Sequence, residues 1–200
     1  MLLAQAPGRL GEFLATTATR MGPGDAILCG FADYYVPQAR WEALKAELVA
    51  TGNWKRVDDF AESPPDAPLA ALRDEIDEYF AGETLGDIAR LLRYRPGPHS
   101  EEWLAKIAKN SPLSCACAVE MIHRLRGTNS IRRALQLEYR FVARAMEHGD
   151  FLEGIRAAII DKDRNPRWRH DGPEAVNAME VAKMLMPLGA DELDLGRELA

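Results

Sequence analysis

Apolar positions along the chain recur mostly at the spacing of a helix that buries one face. Leu10, Phe13, Leu14 and Thr17 share such a face. Pro23, tolerated in a first turn where no backbone N–H is needed, opens a short helix that Gly30 closes. The pattern then changes. "FADYYVP", residues 31 to 37, is rich in aromatic and β-branched residues and is stopped by Pro37, which predicts a short strand. Helical spacing returns with Trp41, Leu44, Leu48 and Val49 ahead of Gly52, and again with Leu69, Leu72, Ile76, Tyr79 and Phe80 ahead of Gly82. The proline-rich "ESPPDAP", residues 62 to 68, separates those two segments, and "RYRPGPHS" and "RNPRWRHDGP" read as further loops.

The later helices announce their own starts. Ser111 followed by Pro112 supplies an N-cap and a first-turn proline for a helix that runs to Gly127, and Ser130 caps the next. Joined by "GTNS", the two predict an antiparallel hairpin. Asp150 with Glu153 three residues on resembles a capping box for a further helix. One element does not close on itself: a lone strand leaves its backbone N–H and C=O groups unpaired. Either it pairs with a segment of helical appearance, or its sheet comes from outside this chain.

A length of 200 residues suffices for a sizeable core, and 47% hydrophobic with 28% charged residues fits a globular chain. A net charge of -6 argues against general nucleic-acid binding, and no apolar run approaches a membrane span or a signal peptide. A cytoplasmic location is expected. Cys29, Cys115 and Cys117 fit a reducing compartment, and Cys115-x-Cys117 has no second pair to complete a metal site.

Candidate chemistry is sparse. Asp161, Lys162 and Asp163 invite an acid-base reading, with Glu153 beside them, yet consecutive charges after a helix usually orient a loop. His99, His123, His148 and His170 lack a neighbouring nucleophile motif. A basic island of His123, Arg124, Arg126, Arg132, Arg133, Arg140 and Arg144 suits an anionic ligand such as a nucleotide phosphate, or else a solvated helix face paired with Glu120, Glu138 and Glu147. Trp54, Trp103 and Trp168 are expected to pack.

Longer motifs carry a family resemblance. "GRLGEFLATTATRMGPGDAILCGFADYYVP" at 8 to 37, "SPLS" at 111 to 114, "LEYR" at 137 to 140 and "DFLEGIRAAIIDKDRNPRW" at 150 to 168 are similar to the C-terminal region of 3-hydroxyisobutyryl-CoA hydrolases, in the enoyl-CoA hydratase/isomerase (crotonase) superfamily. The resemblance implies a mainly α chain: the C-terminal helical part of a crotonase-like α/β spiral fold, with one short strand and most of the core sheet missing. Residues 1–37 would be a remnant of the core, 38–100 a variable helical segment and 101–200 the C-terminal helical region. Where the family commonly has Leu-Thr-Gly, Ala18 stands at the glycine, which questions the close turn there.

The resemblance also implies hydrolysis of an acyl-CoA thioester in valine degradation, with CoA present only as part of the substrate and no metal or redox cofactor. The catalytic Glu and Asp and the oxyanion-hole donors of the family belong to a motif expected upstream of Met1, so this chain alone is expected to be inactive. Lys162 stands near the place of a family lysine close to the CoA nucleotide, and Arg132 and Arg133 are further CoA-binding candidates. An acyl-CoA is the expected partner if a core is supplied, together with self-association through apolar surface, and neither nucleic acid nor membrane is expected. Hydration or isomerisation of an enoyl-CoA is the first alternative, and a non-catalytic helical interaction module the second.

Overall fold

The computed structural model describes residues 1–196, and its secondary structure is almost wholly helical. Two short helices, α1 (Leu2–Gln5) and α2 (Leu10–Thr17), lead to α3 (Pro23–Leu28). An arm carrying α4 (Trp41–Thr51) follows, and then α5 (Pro68–Tyr79), α6 (Leu85–Tyr94), α7 (Ser100–Ile107) and α8 (Pro112–Leu125). The long α9 (Ile131–His148), α10 (Phe151–Ile155) with a π-helical turn over Arg156–Ile160, and α11 (Ala178–Leu185) complete the chain. No helix among the described residues is long and apolar enough to cross a membrane.

The core forms where α2, α5, α6, α7 and α8 present their apolar stripes to one another. Phe13, Phe80 and Trp103 meet edge to face at its centre, with Phe13 5.2 Å from Phe80 and 5.4 Å from Trp103 between ring centroids. That geometry sets the positive ring edges against the negative faces. Asp25, buried in α3, accepts the backbone N–H of Leu69 at 2.9 Å and so ties α3 to the first turn of α5. At Gly11 a Cβ would stand 2.0 Å from the Leu3 carbonyl, so only glycine lets α1 and α2 approach this closely.

Local signals fixed most helix ends. Ser111 Oγ accepts the Ser114 N–H to cap α8, Ser130 Oγ accepts the Arg133 N–H to cap α9, and Gly52 and Gly127 take positive φ where α4 and α8 stop. Along α8 and α9, Ile122 and Leu125 pack with Ala134 and Leu137, while Leu113 and Cys117, further back, meet Phe141. Contacts that run in opposite directions along the two helices make them antiparallel.

Three expectations need correction. The strand over 31 to 37 contracts to a single antiparallel bridge between Tyr35 and Glu62, because the returning segment offers one backbone N–H, that of Glu62, to the Tyr35 carbonyl. The apolar face of α4 is not buried: Trp41 is half-exposed and Val49 is 88% exposed. The arm is instead closed by Arg40, which donates to the carbonyls of Asp59 and Phe60 and stacks over the Phe60 ring. Trp54, expected to pack, lies mostly exposed on this arm, whereas Trp103 is in the core.

Candidate functional site

Helix α2 ends at Thr17, and Ala18 then turns the chain in the left-handed region at φ +50°. The glycine-favouring turn is thus kept although glycine is absent. An L-residue is disfavoured there by about 1–2 kcal/mol, and part of that gain from glycine is offset by the greater entropy of its unfolded chain. Ala18→Gly is therefore expected to raise stability by about 0.5–1 kcal/mol, read as a shift of about 1–4 °C in thermal unfolding.

This turn opens onto a groove of about 460 Å³ walled by Ala15, Ala18, Phe141, Phe151, Ile159 and Trp168. Asn110, Ser111, Ser114 and Asp150 supply polar groups to its lining. Ser111 Oγ donates to Asp150 Oδ2 at 2.5 Å, Asp150 Oδ1 accepts the Arg169 N–H at 3.0 Å, and Asn110 Nδ2 donates to the Thr16 carbonyl at 2.9 Å. The expected capping box at Asp150 is therefore not formed, because the buried Asp150 carboxylate commits its two oxygens to Ser111 and Arg169, tying α8 to the loop after α10.

Residues 150 to 168 fold around one guanidinium. Arg156 donates to Glu153, Asp161 and Asp163 and to the Asn165 carbonyl, while Glu153 also accepts the Arg167 N–H. Hydrogen bonds from Arg156 and the Arg167 N–H hold the Glu153 carboxyl down at about 2, and Arg156 likewise lowers Asp163. A general base at neutral pH needs a pKa near the working pH. Glu153 and Asp163 are thus loop-closing groups, and Lys162 and Arg164 turn the loop at positive φ. Trp168 comes back beside α10, where a Cβ added at Gly154 would just meet its ring at van der Waals distance.

The basic island divides into separate tasks. Arg132, Gln136, Arg140 and Arg144 form an i, i+4 ladder on α9 that holds the C-terminal segment from Met184 to Gly196. Arg144 donates to the carbonyls of Met184, Met186 and Pro187, Gln136 to that of Leu193 and Arg132 to that of Gly196, while Arg140 pairs with Glu192 at 2.7 Å. Arg132 and Arg133 do share a cavity of about 410 Å³, with Arg124 and Arg140. Lys162 is not among its lining residues and follows the helix that leaves the far end of α9, about 27 Å along its axis.

The remaining members, His123 and Arg126, converge on a group that sequence spacing did not reveal. Glu12 is fully buried, and its Oε1 receives Arg9, His123 Nε2 at 3.1 Å and Arg126. Burial alone would raise the Glu12 pKa, but hydrogen bonds from His123 and Arg9 and the charge of Arg126 hold it below its ordinary 4.5. The Cys115 and Cys117 thiols behave oppositely: burial pushes each up to about 12, leaving both protonated at neutral pH. His99 and His170 face Glu75 and Glu180 at 2.6 and 3.2 Å, which commits their rings to structural pairs.

Comparison with known proteins places this arrangement. The family model described as enoyl-CoA hydratase/isomerase matches residues 1–185. The mitochondrial 3-hydroxyisobutyryl-CoA hydrolase of Gallus gallus is 28% identical over 96% of this chain and 53% of its own length. The probable 3-hydroxyisobutyryl-CoA hydrolase 2 of Arabidopsis thaliana is 32% identical over 84% of this chain and 48% of its own. Among solved structures, an enoyl-CoA hydratase from Rhodobacter sphaeroides superposes with a TM-score of 0.87 at 50% identity, covering 96% of this chain and 56% of that one. A carnitinyl-CoA dehydratase from Mycobacterium thermoresistibile gives 0.86 at 33% identity, covering 96% of this chain and 55% of that one. The chain therefore spans about half the length of the relatives it matches. With the match running from the α1–α2 crossing through α11, the chain belongs to the enoyl-CoA hydratase/isomerase family.

Proposed function

We propose that this chain is the C-terminal, substrate-bordering half of an acyl-CoA enzyme of the 3-hydroxyisobutyryl-CoA hydrolase type. Joined to a catalytic half, it would serve thioester hydrolysis that releases CoA and 3-hydroxyisobutyrate. The observation that carries the reading is a likeness to hydrolases of that name along nearly the whole chain, confined to about half of their length. The groove beside Ala18 is the proposed border of the acyl group. The cavity shared by Arg132 and Arg133 is the proposed seat for CoA phosphates, since arginine forks match phosphate oxygens. The proposed catalytic carboxylates lie outside residues 1–200, in keeping with the engagement of Glu153 and Asp163 by Arg156. Valine degradation is the proposed setting.

A second reading, hydration of an enoyl-CoA, is favoured by the 50% identity to the Rhodobacter sphaeroides enoyl-CoA hydratase. Both are tested by thiol release from 3-hydroxyisobutyryl-CoA, with crotonyl-CoA hydration measured alongside. The purified chain is expected to release no thiol. A chimera in which it replaces the matching half of the Gallus gallus hydrolase is expected to release it, and one built in the same way on the Rhodobacter sphaeroides hydratase is expected to hydrate crotonyl-CoA poorly. Release by the chain alone would overturn the proposal, and efficient hydration by the hydratase chimera with no release by the hydrolase chimera would favour the second reading.

A further inference from the structure

The arginine ladder of α9 serves two ends at once. Arg132, Gln136 and Arg140 hold the tail that follows α11, and the same three residues line the cavity of about 410 Å³ shared with Arg124 and Arg133. No acidic residue among the described ones lines that cavity. Ser130 adds the N-terminal end of an 18-residue helix, where the backbone dipole is positive. Arg133 and Arg140, seven positions apart, stand within about 20° of each other around the helix, so one ligand can meet both. The neighbour on this flank of α9 is the chain's own tail.

The holds on that tail are unequal. Arg132 and Gln136 donate to main-chain carbonyls, which are neutral, whereas Arg140 Nε donates to Glu192 Oε1 at 2.7 Å. Glu192 Oε2 in turn accepts the Leu188 N–H at 2.8 Å, so one carboxylate both closes the turn from Leu188 and fastens it to α9. The Arg140 and Glu192 side chains are 19% and 21% exposed, which leaves the pair within reach of an incoming anion.

We infer that the tail is an anion-released strap, in which Glu192 stands on Arg140 as a substitute for ligand phosphate. A diphosphate entering the cavity takes Arg140 from Glu192 and frees the segment from Leu188 to Gly196. This rests on the reading of the cavity as a phosphate seat and adds that the seat competes with the tail. A diphosphate carries more charge than a carboxylate and offers a guanidinium fork parallel acceptors, while Glu192 gives Arg140 a single oxygen. Linkage makes the effect mutual: by whatever factor the anion loosens the strap, the strap weakens the anion. Anions of low charge gain too little from the seat to open it.

Inorganic pyrophosphate is the probe, titrated into the full chain by calorimetry at an ionic strength held constant with chloride, while amide hydrogen exchange is followed over residues 188–196. Pyrophosphate is expected to bind and to speed exchange at Leu188, whose acceptor is Glu192. Glu192→Gln should bind pyrophosphate about two- to fivefold more tightly, the size of a partly exposed ion pair removed from competition. Arg133→Gln, at a cavity residue that holds no part of the described tail, should weaken binding about tenfold and leave the exchange of the unliganded tail as it was. Binding that leaves the tail's exchange unchanged, or slows it, would overturn the strap while the phosphate seat stands. A Glu192→Gln variant that binds no more tightly than the parent would overturn it as well. Failure of both proteins to bind at millimolar pyrophosphate would overturn the seat and the strap together.

Discussion

Replacing Glu12 by alanine is expected to lower the stability of the fold by about 3 kcal/mol, seen as a fall of about 6–12 °C in thermal unfolding. The reason is what remains rather than what is removed. Arg9, His123 and Arg126 all point at this buried carboxylate, and without it cationic groups crowd a site with no counter-charge. Each keeps some solvent contact, which places the loss toward the low end for a broken buried pair. Glu12→Gln, which keeps the shape and loses the charge, should cost less. The pH dependence has a definite sign. Because the folded pKa lies below the ordinary 4.5, the contribution of Glu12 is complete above that value and is lost as pH falls through the lowered one. Acid unfolding of the Glu12→Gln variant should therefore be less steep than that of the parent. A parent-like acid transition in that variant would assign the effect to other carboxylates.

Trp103→Ala is expected to cost about 3–5 kcal/mol in denaturant titration, as large aromatic deletions from a packed core do. Trp103 is 1% exposed, meets Phe13, Tyr79 and Phe80 edge to face, and stacks on His99 at 5.5 Å. The three rings that meet it edge to face are held by α2 and by the C-terminal end of α5, so none can move into the hole without losing its other partners. Trp54→Ala, on the exposed arm, should change stability by less than about 0.5 kcal/mol. Equal losses at the two tryptophans would mean that the arm docks in solution.

Helix positions were legible in the sequence because periodicity and caps are local. Ser111, Pro112, Ser130, Gly52 and Gly127 act on backbone groups within a few residues of themselves, and the structure places each at the helix end its type suggests. What a face meets is a different matter. Among the described residues the stripe of α4 has helical spacing but no buried side chain, and the segment at 31 to 37 has strand composition but a single backbone bridge, to Glu62. Neither fact is local.

Glu12 was hidden for the same reason. A glutamate in a first helical turn ordinarily reads as a surface charge facing the helix dipole. Two of its three partners, His123 and Arg126, stand more than a hundred positions away in the chain. The arginine ladder was half visible: its i, i+4 rhythm could be read from α9, but a ligand and a neighbouring segment of the same chain make equal use of it. The Asp-Lys-Asp run was readable as a loop, whereas the role of Arg156 at its centre required the fold.

The ladder on α9 grips its quarry chiefly by main-chain oxygens, at Met184, Met186, Pro187, Leu193 and Gly196. Every amino acid carries that oxygen. Beyond Met184 and Leu185, whose side chains are buried, the tail is consequently free to drift in composition over evolutionary time, with Glu192 and the positive-φ Gly189 and Gly196 the exceptions, whereas inserting or deleting a single position would put the whole row out of step with four evenly spaced side chains. Constraint here falls on length, and related chains should show a tail that varies in its letters but not in its count.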